Sequence, residues 1–214
     1  INAICLLKGE KKKLKTIAEI AFKIENKITN NSLGKQDHYI AAYGGLRKII
    51  YKKNGIYVKK ISISKKNRDY LNNNILFFWT GKTRLSNKNL TSQKKNFQKN
   101  LINLNNLKQI AFKFNNKLEA KNLNLKELGL LLDENWQMKK SFTKNITNNY
   151  LDKIYRKAIF NGCYGGKLLG AGGGGFFIFI CKKKLQSKLI NKVKNCKIIQ
   201  FKFYSKGTEN CYID

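Results

Sequence analysis

The sequence predicts an α+β fold, and three patterns carry that prediction. Residues 11–29 place Leu14, Ile17, Ala21, Ile24 and Ile28 at steps of three and four, the spacing of one helical face. Residues 46–64, "LRKIIYKKNGIYVKKISIS", hold two β-rich runs joined by Asn54-Gly55, a hairpin signal. Phe176-Phe177-Ile178-Phe179-Ile180-Cys181 is an unbroken apolar run that reads as a buried strand.

The remaining elements follow in order. "NNSLGKQD" (30–37) is turn chemistry, and "HYIAAYGG" (38–45) is too short to favour either period. "KKNRDYLNNN" (65–74) is polar and reads as a domain junction. "ILFFWTG" (75–81) is a strand stopped by glycine. Residues 86–120 suit one long helix, 123–142 a second, and 148–162 a third closing at Gly162. "KKLQSKLINKVKN" (183–195) is an amphipathic helix. "KIIQFKFY" (197–204) alternates as a half-buried strand, and "ENCYID" at the end suits another.

The stretch "GGKLLGAGGGGFFIFIC" (165–181) needs its own account. Gly170, Gly172 and Gly175 satisfy G-x-G-x-x-G, but any glycine run does so. A dinucleotide loop leaves a strand and opens a helix, so that helix N–H groups face the pyrophosphate. Here a polar, helix-like stretch precedes the glycines and a strand follows, so the loop reads as running from helix into strand.

Composition bounds the function. The chain of 214 residues, 42% hydrophobic, is long enough for a real core and holds no run of 18 apolar residues to cross a membrane. The apolar start is too short for a secretory signal. Five cysteines, none in C-x-x-C, and one histidine argue for reduced thiols in the cytoplasm and against a zinc site. The 44 basic and 12 acidic residues give a net charge of +32, which invites a nucleic-acid reading. Nearly all the cations are Lys, however, Asn and Ile abound, and Pro is absent. AT-rich codons account for all of this, and the lysines are scattered, not striped. A basic nucleic-acid-binding α+β protein is therefore the weaker reading.

Three stretches in order, "GKQDHYIAAYGG" (34–45), "LFFWTGKTR" (76–84) and "GGKLLGAGGGGFFIF" (165–179), resemble signatures of the GHMP kinases. "LLDENWQMKKSF" (131–142) resembles the "ENW" helix of the D-glycero-D-manno-heptose 7-phosphate kinase group within that superfamily. The resemblance implies the remainder of an N-terminal, ATP-binding domain over 1–72 and a ferredoxin-like α+β C-terminal domain over 73–214. It implies transfer of the γ-phosphate of ATP to a hydroxyl of a sugar or sugar phosphate, with Mg²⁺ as cofactor and no membrane partner.

The resemblance also assigns residues. Asp37 matches the catalytic aspartate, which orients the attacking hydroxyl and takes its proton; by position alone it is a loop Asp capping the next segment. Glu25, twelve positions earlier, matches the glutamate that binds Mg²⁺. On the helical wheel it lies roughly 60° from the centre of the apolar stripe, whereas Glu19 lies about 180° away and should face water. Gly170, Ala171, Gly172, Gly173, Gly174 and Gly175 match the loop beside nucleotide and substrate, where bare N–H groups can nest an anion. The same glycines suit a close-packed turn. Gly34 and Arg84 fall at substrate-binding positions, Arg84 as a bidentate grip on a sugar phosphate. The carboxylates and the glycine loop are expected around a single pocket.

Two departures stand out. His38 occupies a place where the family commonly has Gln, and reads as structural. The family's glycine-rich substrate segment and "GLGSSS" phosphate loop do not occur, so residues 1–10 resemble the tail of the helix that follows that loop. The chain alone is expected to bind ATP poorly. A non-catalytic kinase remnant is the further alternative, against which the intact Glu25, Asp37 and glycine loop argue.

Overall fold

Among the described residues, two antiparallel sheets, one of two strands and one of four, organise the chain. The computed structural model describes residues 1–29, 34–82, 100–143, 145–193 and 196–209. These form two units: Ile1–Ile61 with Phe203–Asp214, and Ser62–Lys202.

The first unit contains helices α1 (Asn2–Leu7), α2 (Leu14–Thr29) and α3 (Gln36–Tyr43) and the hairpin of β1 (Arg47–Lys52) and β2 (Gly55–Lys60). Its core is Ala18 against Tyr39 and Ala42, walled by half-buried Leu14, Ile49, Ile56 and Val58. Ala18 gives α3 room to approach, and this fixes which face of α2 is covered. The predicted stripe is therefore only partly buried: Ile17 is enclosed, but Ile24 is 46% and Ile28 77% exposed. Glu19 does not face water as the wheel implied. Its carboxylate accepts from Tyr39 Oη at 2.5 Å and Lys35 Nζ at 2.7 Å, tying α2 to α3.

In the hairpin, Lys52 pairs with Gly55, so the two-residue turn is Lys53-Asn54, one position earlier than the Asn-Gly signal suggests. Gly55, at φ 138°, opens β2. Residues 203–209 return to this unit as an extended segment along the end of α3. Gly45 N–H donates to Tyr204 O at 3.0 Å, and Thr208 N–H to Ala42 O at 3.2 Å. Arg47 donates to the carbonyls of Gly44 at 2.6 Å and Tyr43 at 2.9 Å, satisfying the C-terminus of α3 with a cation.

The second unit holds α4 (Lys65–Asn73), β3 (Ile75–Trp79), α5 (Leu101–Leu118), α6 (Leu125–Lys140), α7 (Asn149–Phe160), β4 (Cys163–Leu168), β5 (Phe176–Cys181), α8 (Lys183–Lys192) and β6 (Lys197–Ile199). The sheet order is β4-β5-β3-β6, all antiparallel. Numbered within the unit this is 4-1-3-2 read from β6, the ferredoxin-like order with helices between its first and second and its third and fourth strands. β5 lies inside the sheet, with Phe177, Phe179 and Cys181 fully buried on one face and Phe176 and Ile178 half-buried on the other. Phe177 and Phe179 stack at 5.3 Å and meet Trp136 of α6 and Tyr155 of α7. Cys163 and Cys181 pair across β4 and β5 as buried free thiols.

Three expectations change here. Residues 65–73 are a helix, not a junction: Ser64 caps it by accepting from Asn67 N–H, and Leu71 is buried. Residues 163–168 form β4, so the glycine stretch joins two antiparallel strands instead of leading from helix to strand. Of the predicted strand 197–204 only Lys197–Ile199 pairs. The start of the long helix read over 86–120 lies outside the described residues, as do 210–214; its described part is α5.

Candidate active site

Asp37 stands in the first turn of α3, whose N-cap is Lys35. It is thus not the capping residue; its charge sits where the helix dipole favours an anion. Asp37 is exposed, and its field helps raise the Tyr51 phenol, which burial raises first. Gly34 is exposed just before, with no atom within 4 Å of where a Cβ would be. Nothing in the described fold demands a glycine there.

Glu25 lies three turns into α2, 51% exposed at its side chain, with His38 Nε2 2.7 Å from its Oε2. Glu25, Asp37 and His38 line one cavity of about 370 Å³, floored by Ala18 and Ala42 and edged by Thr208. Two of the residues read from the sequence thus meet in a single concavity. Nearby, burial pushes the Glu19 carboxyl up, but hydrogen bonds from Lys35 and Tyr39 outweigh it and hold its pKa below the ordinary value.

Among the described residues no three His, Cys, Asp or Glu side chains gather as a metal cage. That suits Mg²⁺, a hard cation that takes one or two carboxylates and completes its octahedron with waters and phosphate oxygens. The two carboxylates on the cavity fit such a partial shell. A carboxylate has four lone-pair sites, so the bond from His38 leaves Glu25 able to ligate.

The glycine loop belongs to the second unit and spans the turn between β4 and β5. Gly170, Gly172, Gly173 and Gly175 have φ of 69°, 92°, 77° and 99°, a region that side-chain-bearing residues avoid. Part of this loop is a packed turn. Gly173 N–H donates to Ile146 O at 2.7 Å and Gly175 N–H to Lys82 O at 3.0 Å. Thr80 donates to Gly175 O through its N–H at 3.0 Å and its hydroxyl at 2.8 Å. Lys139 Nζ donates to Gly170 O. Those two engaged N–H groups are not available to an anion. The N–H groups of Gly170, Gly172 and Gly174 meet no acceptor among the described residues. A nest is therefore open to at most part of the loop.

Arg84 lies outside the described residues. Three side chains beside these positions carry no assignment from the motifs. His38 reads as structural, and its partner is Glu25. Lys139, in the "ENW" helix, holds the loop's first carbonyl. Lys167 donates to Asn135 Oδ1 at 2.5 Å beside the loop's entry, and burial lowers its pKa to about 8. Lys139 lies in the quoted "ENWQMKK" stretch and Lys167 in "GGKLLG", but neither pattern shows the contact that each makes.

Comparison with known proteins gives consistent results. Residues 117–198 match the family described as "GHMP kinases C terminal". The D-glycero-alpha-D-manno-heptose 7-phosphate kinase of Campylobacter jejuni is 28% identical over 200 residues, covering 91% of this chain and 58% of its own length. The chain thus spans little more than half of that relative. A D-glycero-D-manno-heptose 1-phosphate kinase from Bacteriodes thetaiotaomicron superposes with a TM-score of 0.73 at 20% identity, over 96% of this chain and 57% of that one. The phosphomevalonate kinase of Streptococcus pneumoniae gives 0.75 at 13%, over 92% and 64%. At those identities the structures establish the fold alone. The resemblance read from the motifs is borne out, and the α+β architecture is that of its kinase neighbours.

Proposed function

We propose that the full-length protein is an ATP-dependent sugar kinase whose substrate is a heptose phosphate, D-glycero-D-manno-heptose 7-phosphate. The observation that carries this reading is the meeting of Glu25 and Asp37 on one cavity. The C-terminal family match and the heptose kinase relative point to the substrate class.

Asp37 holds the acceptor hydroxyl by a hydrogen bond and takes its proton as the oxygen attacks phosphorus. Its exposed carboxylate suits that task, being paired with no cation among the described residues. Glu25 contributes oxygen ligands at the cavity margin. Mg²⁺, when bound, neutralises charge on the phosphate oxygens.

The test is steady-state kinetics of the full-length protein with ATP and the heptose phosphate, against galactose and mevalonate. Asp37→Asn lowers kcat by about 10³-fold while the KM for ATP changes less than about threefold. Turnover of mevalonate alone, or an unchanged kcat in Asp37→Asn, refutes the reading.

A further inference from the structure

His38 is the chain's single histidine, and the geometry around it goes beyond a packing role. Its side chain is 9% exposed and its Nε2 lies 2.7 Å from Glu25 Oε2. Phe22 meets the ring edge-on at 5.6 Å and 89°, which fixes the plane of the imidazole. Its other nitrogen, Nδ1, is buried with no hydrogen-bond partner among the described residues. A carboxylate only accepts, so Nε2 carries the hydrogen of that bond. A buried polar atom left unmet costs free energy, so a ring held in this orientation answers to its bond with Glu25.

We propose that His38 is a positioning residue for Glu25: its Nε2–H holds the carboxylate so that the remaining oxygen lone pairs face a hydrated divalent cation in the cavity. Ligating carboxylates are generally held in this way by a neighbour, and loss of the neighbour weakens metal binding about 10- to 100-fold. The surroundings allow it. His38 shares the cavity with Glu25 and Asp37, and the ring is clamped by Phe22 from α2. Glu25 is the sole carboxylate bonded to the ring among the described residues. The inference rests on the metal role proposed for Glu25, and its test separates the two.

Mn²⁺ is titrated into the chain without nucleotide, and the free ion is counted by electron paramagnetic resonance. In parallel, the Mg²⁺ activation constant is measured on the full-length enzyme. His38→Ala raises the Mn²⁺ Kd and the Mg²⁺ activation constant about tenfold, with kcat at saturating Mg²⁺ within about twofold. His38→Gln, whose amide nitrogen falls near the Nε2 position, recovers most of the loss. Equal behaviour of the Ala and Gln variants overturns the proposal, because a packing role alone distinguishes them by melting temperature and not by metal affinity. Unaltered Mn²⁺ binding in His38→Ala, or none in the unaltered protein, overturns it as well. If Glu25→Gln leaves Mn²⁺ binding unchanged, the metal assignment itself fails; if Glu25→Gln abolishes it while His38→Ala does not, only the role of His38 fails.

Discussion

Gly165 of β4 and Gly129 of α6 pass so close that a Cβ on Gly165 would stand 1.9 Å from Gly129 O. A Cβ on Gly129 would in turn meet Tyr164 Cβ at 2.4 Å. The strand that enters the glycine loop is thus seated directly on the backbone of the "ENW" helix, and neither side chain could be added without moving the helix off the sheet. Gly165→Ala is expected to destabilise the second unit by about 3 kcal/mol, the upper range for overpacking a closed contact. Urea unfolding followed by far-UV circular dichroism measures this, and a change below 0.5 kcal/mol, a roughly neutral surface value, would show the contact to be loose.

Lys167 gives a pH signature. Burial lowers its pKa from 10.5 to about 8, so the folded state binds this proton less tightly than the unfolded state does. The strain of burying the charge is fully present below pH 8 and is relieved as pH rises toward the unfolded value. Stability should therefore climb between pH 7.5 and 9.5, by about 1 to 2 kcal/mol after allowance for the partial exposure of the side chain. Lys167→Met should remove the slope. Urea midpoints at the two pH values decide it; parallel slopes in both proteins would place the ammonium in water.

Lys139 holds Gly170 O from one helical turn beyond Asn135, the partner of Lys167. Both ties come from one face of α6. Removing the first as Lys139→Met should accelerate amide exchange across 169–175 about fivefold, the equivalent of one net hydrogen bond near 1 kcal/mol. Lys139→Arg should largely restore protection. Hydrogen–deuterium exchange by mass spectrometry reads the loop directly, and unchanged exchange would mean that the loop is held by Ile146, Lys82 and Thr80 alone.

Glu19 makes the first unit acid-sensitive. Its lowered pKa means that its contribution is complete above the unfolded value near 4.5 and is lost as pH falls through the lower folded value. Tyr39→Phe deletes the shorter of its two bonds and should cost about 1 to 2 kcal/mol at pH 7, with a shallower decline in acid. Thermal unfolding at pH 7 and pH 3.5 compares the two proteins; identical melting temperatures at pH 7 would show that Lys35 suffices.

The sequence disclosed its architecture where one physical signal dominated. The β5 run is apolar throughout and mostly buried, and the helices 125–140 and 149–160 keep a clear period and have Asn caps at Asn124 and Asn148. β4 hid because Gly165 and Gly166 lower its strand propensity. Those glycines answer to the α6 contact and to Phe179, which a Cβ on Gly166 would strike at 2.3 Å. The α2 stripe misled because Ala18, not a large residue, marks the buried side. At the candidate site Asp37 and Glu25 were legible through motif and spacing. His38 was not, since a bond between residues 13 apart on different helices leaves no local pattern.

The extended segment 203–209 has a consequence for how the molecule comes into being. The N–H of Gly45 and the carbonyl of Ala42 find their partners in residues translated some 160 positions later. A nascent chain emerging from the ribosome holds α2, α3 and the hairpin early but cannot close them, whereas 62–202 is complete before the tail appears. The later-made unit is thus the first able to finish folding, and the earlier one waits, its α3 terminus open, for residues 203–209.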